Sequence, residues 1–342
     1  MDETTTTHTS PDLPALETLR QGMRVVALPM RTRFRGIEMR EAALFEGPEG
    51  WTEWSPFVEY GDTEAANWLA ATIEFGWRPL GASAVPDVGV NATVPAVDAD
   101  AVPSVLRRFG AVRTAKVKVA EPGQQLDDDV ARVRAVRAHL GDTGRIRVDA
   151  NGGWNVDEAE HAAHALAQFD LEYFEQPCAS VAELTELRMR VRDWDLRIAA
   201  DESVRRAEDP LAVARAGAAD VLVVKVQPLG GVERARMIVA EAGLPVVVSS
   251  ALETSVGLGM GLALAASLPP SPDGIDYDHG LGTAALFAGD VVAHPRIPVD
   301  GRLGAGRLAP DADLLAEHAA STDRAQWWAA RLERCYPLLR SS

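Results

Sequence analysis

The chain is poor in the residues that build disulfide scaffolds, nucleic-acid surfaces and membrane spans. It has two cysteines in 342 residues, Cys178 and Cys335, and their spacing suits neither a metal nor a redox pair. A chain of this length can bury enough core to stand without disulfides, and scarce cysteine suits a reducing cytoplasm. Positive charge is in deficit: 34 Lys and Arg against 50 Asp and Glu give a formal net charge of −16. A phosphate backbone or an anionic membrane surface attracts clustered cations, so neither is an expected partner. Long hydrophobic runs are lacking too. The most apolar stretch, Leu258 to Leu268, falls short of the roughly 20 residues that cross a bilayer. The N-terminus, MDETTTTHTS, has neither the basic nor the apolar segment of a secretion signal, and its small polar residues read as disordered. What is there is ordinary for a globular protein, 47% apolar and 25% charged. The expectation is a cytoplasmic protein, monomer or small homo-oligomer, that acts on a small molecule.

Residues 24–60 read as β. VVALPM is a strand, followed by a loop with Arg31, Arg33, Arg35 and Gly36. IEMREAALFE then alternates into the turn GPEG and out through WTEWSPF. Residues 63–75 have helical spacing, with Trp68, Leu69, Ile73 and Phe75 near one face. Residues 1–100 are therefore expected to form a small α+β unit. From about residue 103 short apolar runs alternate with amphipathic helical segments. The strand candidates are 114–119, 145–149, 171–175, 197–201, 221–226 and 245–250. Near-continuous apolar strands between helices mean a parallel sheet. Six units in a row, with no dinucleotide-type glycine fingerprint after the first strand, favour a closed (β/α) barrel over an open sheet, here over 101–310. The segment 311–342 turns helical again and is expected to pack on the N-terminal unit.

The strongest signal is where charge falls. Asp149, Glu175 and Asp201 end three successive apolar strands, Lys225 sits in the next, and Ser249 with Ser250 ends the one after. The steps are 26, 26, 24 and 24 residues, one strand–helix unit each. In a parallel barrel all these ends lie on the one face where active sites are built. Any one acid alone reads as a solvated loop residue. Three side by side repel strongly unless a cation sits among them, and hard oxygen ligands without His or Cys suit Mg²⁺. Lys116 and Lys118, two apart on one strand, share a face. Lysine is seldom buried without compensation, and beside neighbouring cations it loses pKa and becomes a usable base. Arg147 shares a face with Asp149. It is placed to hold a lysine or a substrate carboxylate, and a plain salt-bridge role stands equally. A metal flanked by lysines suits proton abstraction α to a carboxylate, the logic for which enolase-superfamily sites are a standing example.

These residues fall in recognisable motifs: KVK (116–118), RVDANGGW (147–154), YFEQP (173–177), ADES (200–203) and VVKVQPLGG (223–231). In this order and spacing the chain resembles the muconate-lactonising subgroup of the enolase superfamily, and GWTEWSPF looks like a strand of that family's capping domain. The resemblance implies an α/β fold: a modified (β/α) barrel with an N-terminal α+β capping domain completed by the C-terminal helical tail. It implies that Asp149, Glu175 and Asp201 bind Mg²⁺, with Mn²⁺ as a substitute. Lys118 is then the acid–base on one face and Lys225 its counterpart on the other.

RFRGIEMRE (33–41), Arg147, SSALETSVGLG (249–259) and HGLGTAALFAGDVV (279–292) look most like the subgroup's menaquinone-pathway dehydratases. The activity this implies is a lyase reaction, dehydration of 2-succinyl-6-hydroxy-2,4-cyclohexadiene-1-carboxylate to 2-succinylbenzoate. Lys116, Arg147, Asn151 and Glu202 are expected to support the site. Ser249, Ser250 and Arg35 are expected to contact a small carboxylate substrate, Arg35 from a lid loop. Trp51, Trp54, Trp68 and Trp154 read as packing residues. An N-acylamino acid racemase or dipeptide epimerase needs the same opposed lysines and metal, and so remains open, as does a cycloisomerase. Two readings from other classes are a Schiff-base aldolase with Lys225 as nucleophile and a metal-binding barrel without activity.

Overall fold

The computed structural model describes residues 13–34, 36–81, 83–205 and 209–340. The expectations for the first ten residues and for Arg35 lie outside these. The N-terminal unit is a three-stranded antiparallel sheet of β1 (Arg24–Phe34), β2 (Ile37–Gly47) and β3 (Gly50–Trp54). β1 is longer than the sequence reading allowed. Arg31 and Arg33 belong to the strand rather than to a loop. Pairing with β2 slips after Pro29↔Met39 and resumes at Phe34↔Ile37, and such an irregularity re-aims the strand end without ending it. The helix Asp62–Trp77 follows, with Asp62 and Glu64 in its first turn, where the helix dipole favours acids. It buries Trp68, Leu69, Ile73 and Phe75.

The rest is dominated by one parallel sheet. After β4 (Asp87–Gly89) come β5 (Ala92–Val94), β6 (Thr114–Lys118), β7 (Arg145–Asp149), β8 (Leu171–Glu175), β9 (Ile198–Ala200), β10 (Val221–Val224) and β11 (Val246–Val248). Strands β5 to β11 pair side by side in chain order. The two ends of the sheet meet through residues 279–280: Val90 bridges His279 and Ser249 bridges Gly280, both in parallel sense. A two-residue segment thus takes the place of an eighth strand, giving a modified barrel. The sheet starts earlier than residue 101, where the sequence reading began the barrel. β5 is three residues long, too short to show a period. β12 (Arg302–Gly304) pairs with β4.

The connecting helices carry strong start signals. Asn155 with Glu158 and Ser180 with Glu183 form reciprocal capping boxes at the helices Val156–Leu166 and Val181–Val191. The final long helix, Thr322–Cys335, packs on the N-terminal unit. Trp328 meets Trp54 edge to face at 5.2 Å, and Arg331 donates to the carbonyls of Phe57 and Tyr60. Among the described residues no helix is long and apolar enough to cross a membrane.

Candidate active site

Sheet order sets the site. Lys118 pairs with Asp149 and Asp149 with Glu175 in the strand register, and Asp201 and Lys225 follow directly on β9 and β10. Counting the 279–280 segment as an eighth position, Lys118 stands on the second and Lys225 on the sixth. The two amines therefore lie across the ring from each other, with the three carboxylates on one arc between them. The chain leaves the barrel abruptly at these ends. Ala120, Asn151, Gln176 and Leu252 all take positive φ, at 59°, 48°, 38° and 63°, one or two residues beyond Lys118, Asp149, Glu175 and Ser250. Such backbone is strained for residues with a Cβ and tends to collect at functional sites. Gln176 braces the next strand end: its Oε1 accepts from the Asp201 and Ser203 N–H groups.

The charged groups are buried and tied together. Lys116 Nζ donates to Asp149 Oδ2 at 2.9 Å and to Glu175 Oε1 at 2.8 Å. Lys118 Nζ donates to the same Asp149 oxygen and, at 2.7 Å, to Asn151 Oδ1. Lys225 pairs with Asp201 Oδ2, and Arg205 Nε donates to Asp201 Oδ1 at 3.0 Å. Burial alone would raise the Asp149 carboxyl, but the Lys116 and Lys118 ammoniums outweigh it and hold it well below the usual range. Burial likewise opposes charge on Asp201, and Lys225 and Arg205 keep it low. Glu175 behaves in the opposite way. Burial, and then the charge of Asp149, push it up to about 8 despite Lys116. Lys118 is lowered, first by burial and also by the repulsion of Lys116 against the pull of Asp149. These are the only three lysines in the sequence; the other 31 basic residues are arginines.

A pocket opens above this row. It is lined by Lys116, Lys118, Asn151, Lys225, Ser249 and Ser250, which the sequence reading named, and by Phe34, Phe57, Thr93, Arg205 and Thr283, which it missed. Phe34 and Phe57 come from the N-terminal unit, and Lys118 Nζ stands 5.5 Å from the centre of the Phe34 ring. The sequence reading expected a capping unit and a lid loop there, but not which of its side chains enter the pocket. Arg205 had a readable signal, since it is four residues after Asp201 at the start of a helix. Thr283 lies within HGLGTAAL, and its hydroxyl is 2.6 Å from that of Ser250.

Of the two roles read for Arg147, the structure shows the salt bridge and not the lysine or substrate holder. Arg147 sits one layer deeper, bound to Glu172, Asn91 Oδ1 and the Asp278 carbonyl, and does not line the pocket. Two residues back along a strand is about 7 Å, which moves it out of reach of the mouth. Asn151 joins two site groups, accepting from Lys118 and donating to Glu202. Trp54 and Trp68 are fully buried packing residues, and Trp154 meets Phe174 edge to face at 5.5 Å.

Among the described residues no three Asp, Glu, His or Cys side chains are arranged as a ready metal cage. The carboxylates form a row of strand ends held apart by ammoniums. The donor set nevertheless fits a hard cation. Glu175 Oε2 is buried without a hydrogen-bond partner, and its carboxyl is raised by burial and by the charge of neighbouring Asp149. One more cation beside Glu175 would relieve both.

The Enolase C-terminal domain-like family matches residues 99–310, and the Enolase N-terminal domain-like family matches 25–76. The chain belongs to the enolase superfamily. The muconate lactonizing enzyme from Pseudomonas putida shares the fold with a TM-score of 0.71 and 19% identity, covering 87% of this chain and 98% of its own. An L-Ala-D/L-Glu epimerase from Bacillus subtilis does so with a TM-score of 0.69 and 19% identity, over 84% of this chain and 98% of its own. The o-succinylbenzoate synthase of Mycolicibacterium smegmatis is 55% identical over 96% of this chain and 99% of its own length. That of Mycobacterium tuberculosis H37Ra is 55% identical over 96% and 98%. Within the superfamily the chain therefore sits with the o-succinylbenzoate synthases.

Proposed function

We propose that the chain carries out the reaction of the o-succinylbenzoate synthases, dehydrating 2-succinyl-6-hydroxy-2,4-cyclohexadiene-1-carboxylate to 2-succinylbenzoate and water in a cytoplasmic menaquinone pathway. The observation that carries this reading is the pair of opposed lysines, Lys118 and Lys225, flanking three strand-end carboxylates under two aromatic rings. Asp149, Glu175 and Asp201 would hold a divalent metal, and the all-oxygen donor set favours Mg²⁺, with Mn²⁺ as a substitute. When bound, the metal supplies electrophilic stabilisation of negative charge on the substrate carboxylate.

The residues of the chain do the rest. Lys118, with its pKa lowered by burial and Lys116, takes the proton from the carbon α to the carboxylate. The electron pair left behind forms the new ring double bond as the C–OH bond breaks. Lys118 returns the proton to the departing hydroxyl on the same face. Lys225 stays protonated on the opposite face and stabilises developing charge, in part over the ring. Ser249 and Ser250 donate to the succinyl carboxylate, and Phe34 and Phe57 exclude water from the ring. Aromatisation drives the elimination, so the site supplies less stabilisation than a racemisation of similar acidity would need.

A racemase or epimerase would use the same lysines in a 1,1-proton transfer. The full-length likeness to the two mycobacterial synthases favours dehydration. Purified chain with Mg²⁺ should convert the cyclohexadiene carboxylate far faster than it racemises N-succinyl amino acids, followed side by side by absorbance and polarimetry. Faster racemisation would overturn the assignment. Activity should vanish with a chelator and return on adding Mg²⁺.

A further inference from the structure

Arg205 has no part in the proposed chemistry, yet it bonds Asp201, Glu202 and Tyr60. Its side chain is 2% exposed and its three nitrogens go to three different places. Nε donates to Asp201 Oδ1 at 3.0 Å, Nη2 to Glu202 Oε1, and Nη1 to the Tyr60 hydroxyl at 3.0 Å. The first contact leads to Lys225, which pairs with the other Asp201 oxygen. The second leads to Lys118: Glu202 Oε1 also accepts from Asn151 Nδ2 at 3.1 Å, and Asn151 Oδ1 accepts from Lys118 Nζ. The third leaves the barrel. Tyr60 lies in the loop between β3 and the helix Asp62–Trp77. Its ring meets Phe57, which lines the pocket, edge to face at 5.3 Å. Its carbonyl is held by Arg331 of the C-terminal helix at 2.6 Å.

We infer that Arg205 is a positioning residue that aligns both opposed lysines at once and makes that alignment depend on the N-terminal unit being docked through Tyr60. A planar guanidinium with fixed donor directions can serve three acceptors simultaneously; a lysine amine at the end of a flexible stem cannot hold the same geometry. The path to Lys118 runs through Glu202 and Asn151, and the path to Lys225 runs through Asp201. Withdrawal of the Tyr60 loop would free one arm of the guanidinium and slacken both paths. The reacting groups then assemble only beneath a seated roof, when Phe57 is also in place. This inference rests on the assignment of Lys118 and Lys225 as the acid–base pair.

The test uses Arg205→Lys, Tyr60→Phe and the double variant in the full chain. With saturating Mg²⁺, Arg205→Lys should lower kcat about 10- to 100-fold, the range typical when a residue supporting metal ligands is lost, with KM changed much less. Tyr60→Phe removes only the phenol hydroxyl and should lower kcat about 3- to 10-fold. The double variant should be no slower than Arg205→Lys alone, because both substitutions cut one path. A second readout needs neither metal nor turnover. Amide hydrogen exchange at Tyr60, Val204 and Arg205, whose N–H groups bond the carbonyls of Phe57 and Asp201, should quicken in both variants, while exchange in β7 and β8 stays as in the parent. Near-parental kcat in Arg205→Lys, or effects that multiply in the double variant, would overturn the inference. If Arg205→Lys does not fold, Tyr60→Phe with unchanged exchange overturns it alone. A parent chain that does not dehydrate the substrate would sink the assigned function instead, leaving the exchange result to judge the tie.

Discussion

Arg147 and Asp149 stand two residues apart on β7, fully buried, both facing into the barrel. They belong to two layers of buried charge built on different principles. The deeper layer is made with arginine. Arg147 is clamped by Glu172, Asn91 and a backbone carbonyl, and its guanidinium carbon is 4.8 and 5.9 Å from the ring centres of Tyr173 and Tyr277. The upper layer holds every lysine in the sequence, with Arg205 beside them. A guanidinium keeps its charge under all ordinary conditions and fixes several partners in a plane. An ammonium is compact and gives up its proton when buried beside another cation. The deeper layer braces the barrel with a permanent charge, while in the upper layer burial and the charge of Lys116 loosen the proton of Lys118.

The sharpest way to break that contrast is to strike the upper layer. Lys118→Ala should cut kcat by about a thousandfold or more, near the top of what a positioned acid–base supplies, while circular dichroism stays unchanged. Near-normal turnover would mean the proton is carried by another group. In the deeper layer the loss should appear as stability. Arg147→Met leaves Glu172, whose side chain is only 8% exposed, with Arg145 as its remaining cation, which should cost about 2 kcal/mol in urea denaturation. Turnover per folded molecule should fall less than tenfold, and a larger fall would place Arg147 in the chemistry.

Glu53 offers a third case, a carboxylate fully buried in β3. Burial outweighs its hydrogen bonds from Ser55 and Thr254 and pushes it up to about 7. The folded state then keeps a proton that the unfolded chain releases near 4.5. Stability should therefore fall as pH rises from about 4.5 through about 7, by at most about 3 kcal/mol. Glu53→Gln should flatten that slope in thermal unfolding followed across this range. The smallest effect sharpens the contrast by counting. An amine-selective reagent should modify no more than three side chains, found by peptide mapping. Mg²⁺ with product should slow the modification, because the lysines are 6 to 9% exposed and lie within the site.

Much of this layout was legible in the sequence because strand-end spacing is a one-dimensional trace of a three-dimensional ring. Asp149, Glu175, Asp201 and Lys225 recur at one unit per step, and Lys116 with Lys118 declare their face by alternation. What escaped reading depends on depth or on distant folding. The strand period places Arg147 on the inward face but does not say which layer it occupies. Phe34 and Phe57 reach the pocket only because the antiparallel unit folds over the barrel. β5 and the 279–280 segment are too short to show any period. Arg31 and Arg33 read as a loop because charge hid a strand whose pairing slips and resumes.

The short segment at 279–280 has a consequence of its own. It fills one stave of the barrel with two isolated bridges where its neighbours have full ladders, and it lies directly across from β8 and Glu175. Ser249 and Gly280 on that seam also form the pocket wall. Two residues are enough to close the ring there, because the Asn91 N–H donates to the His279 carbonyl on one side and the Ser250 N–H to the Gly280 carbonyl on the other.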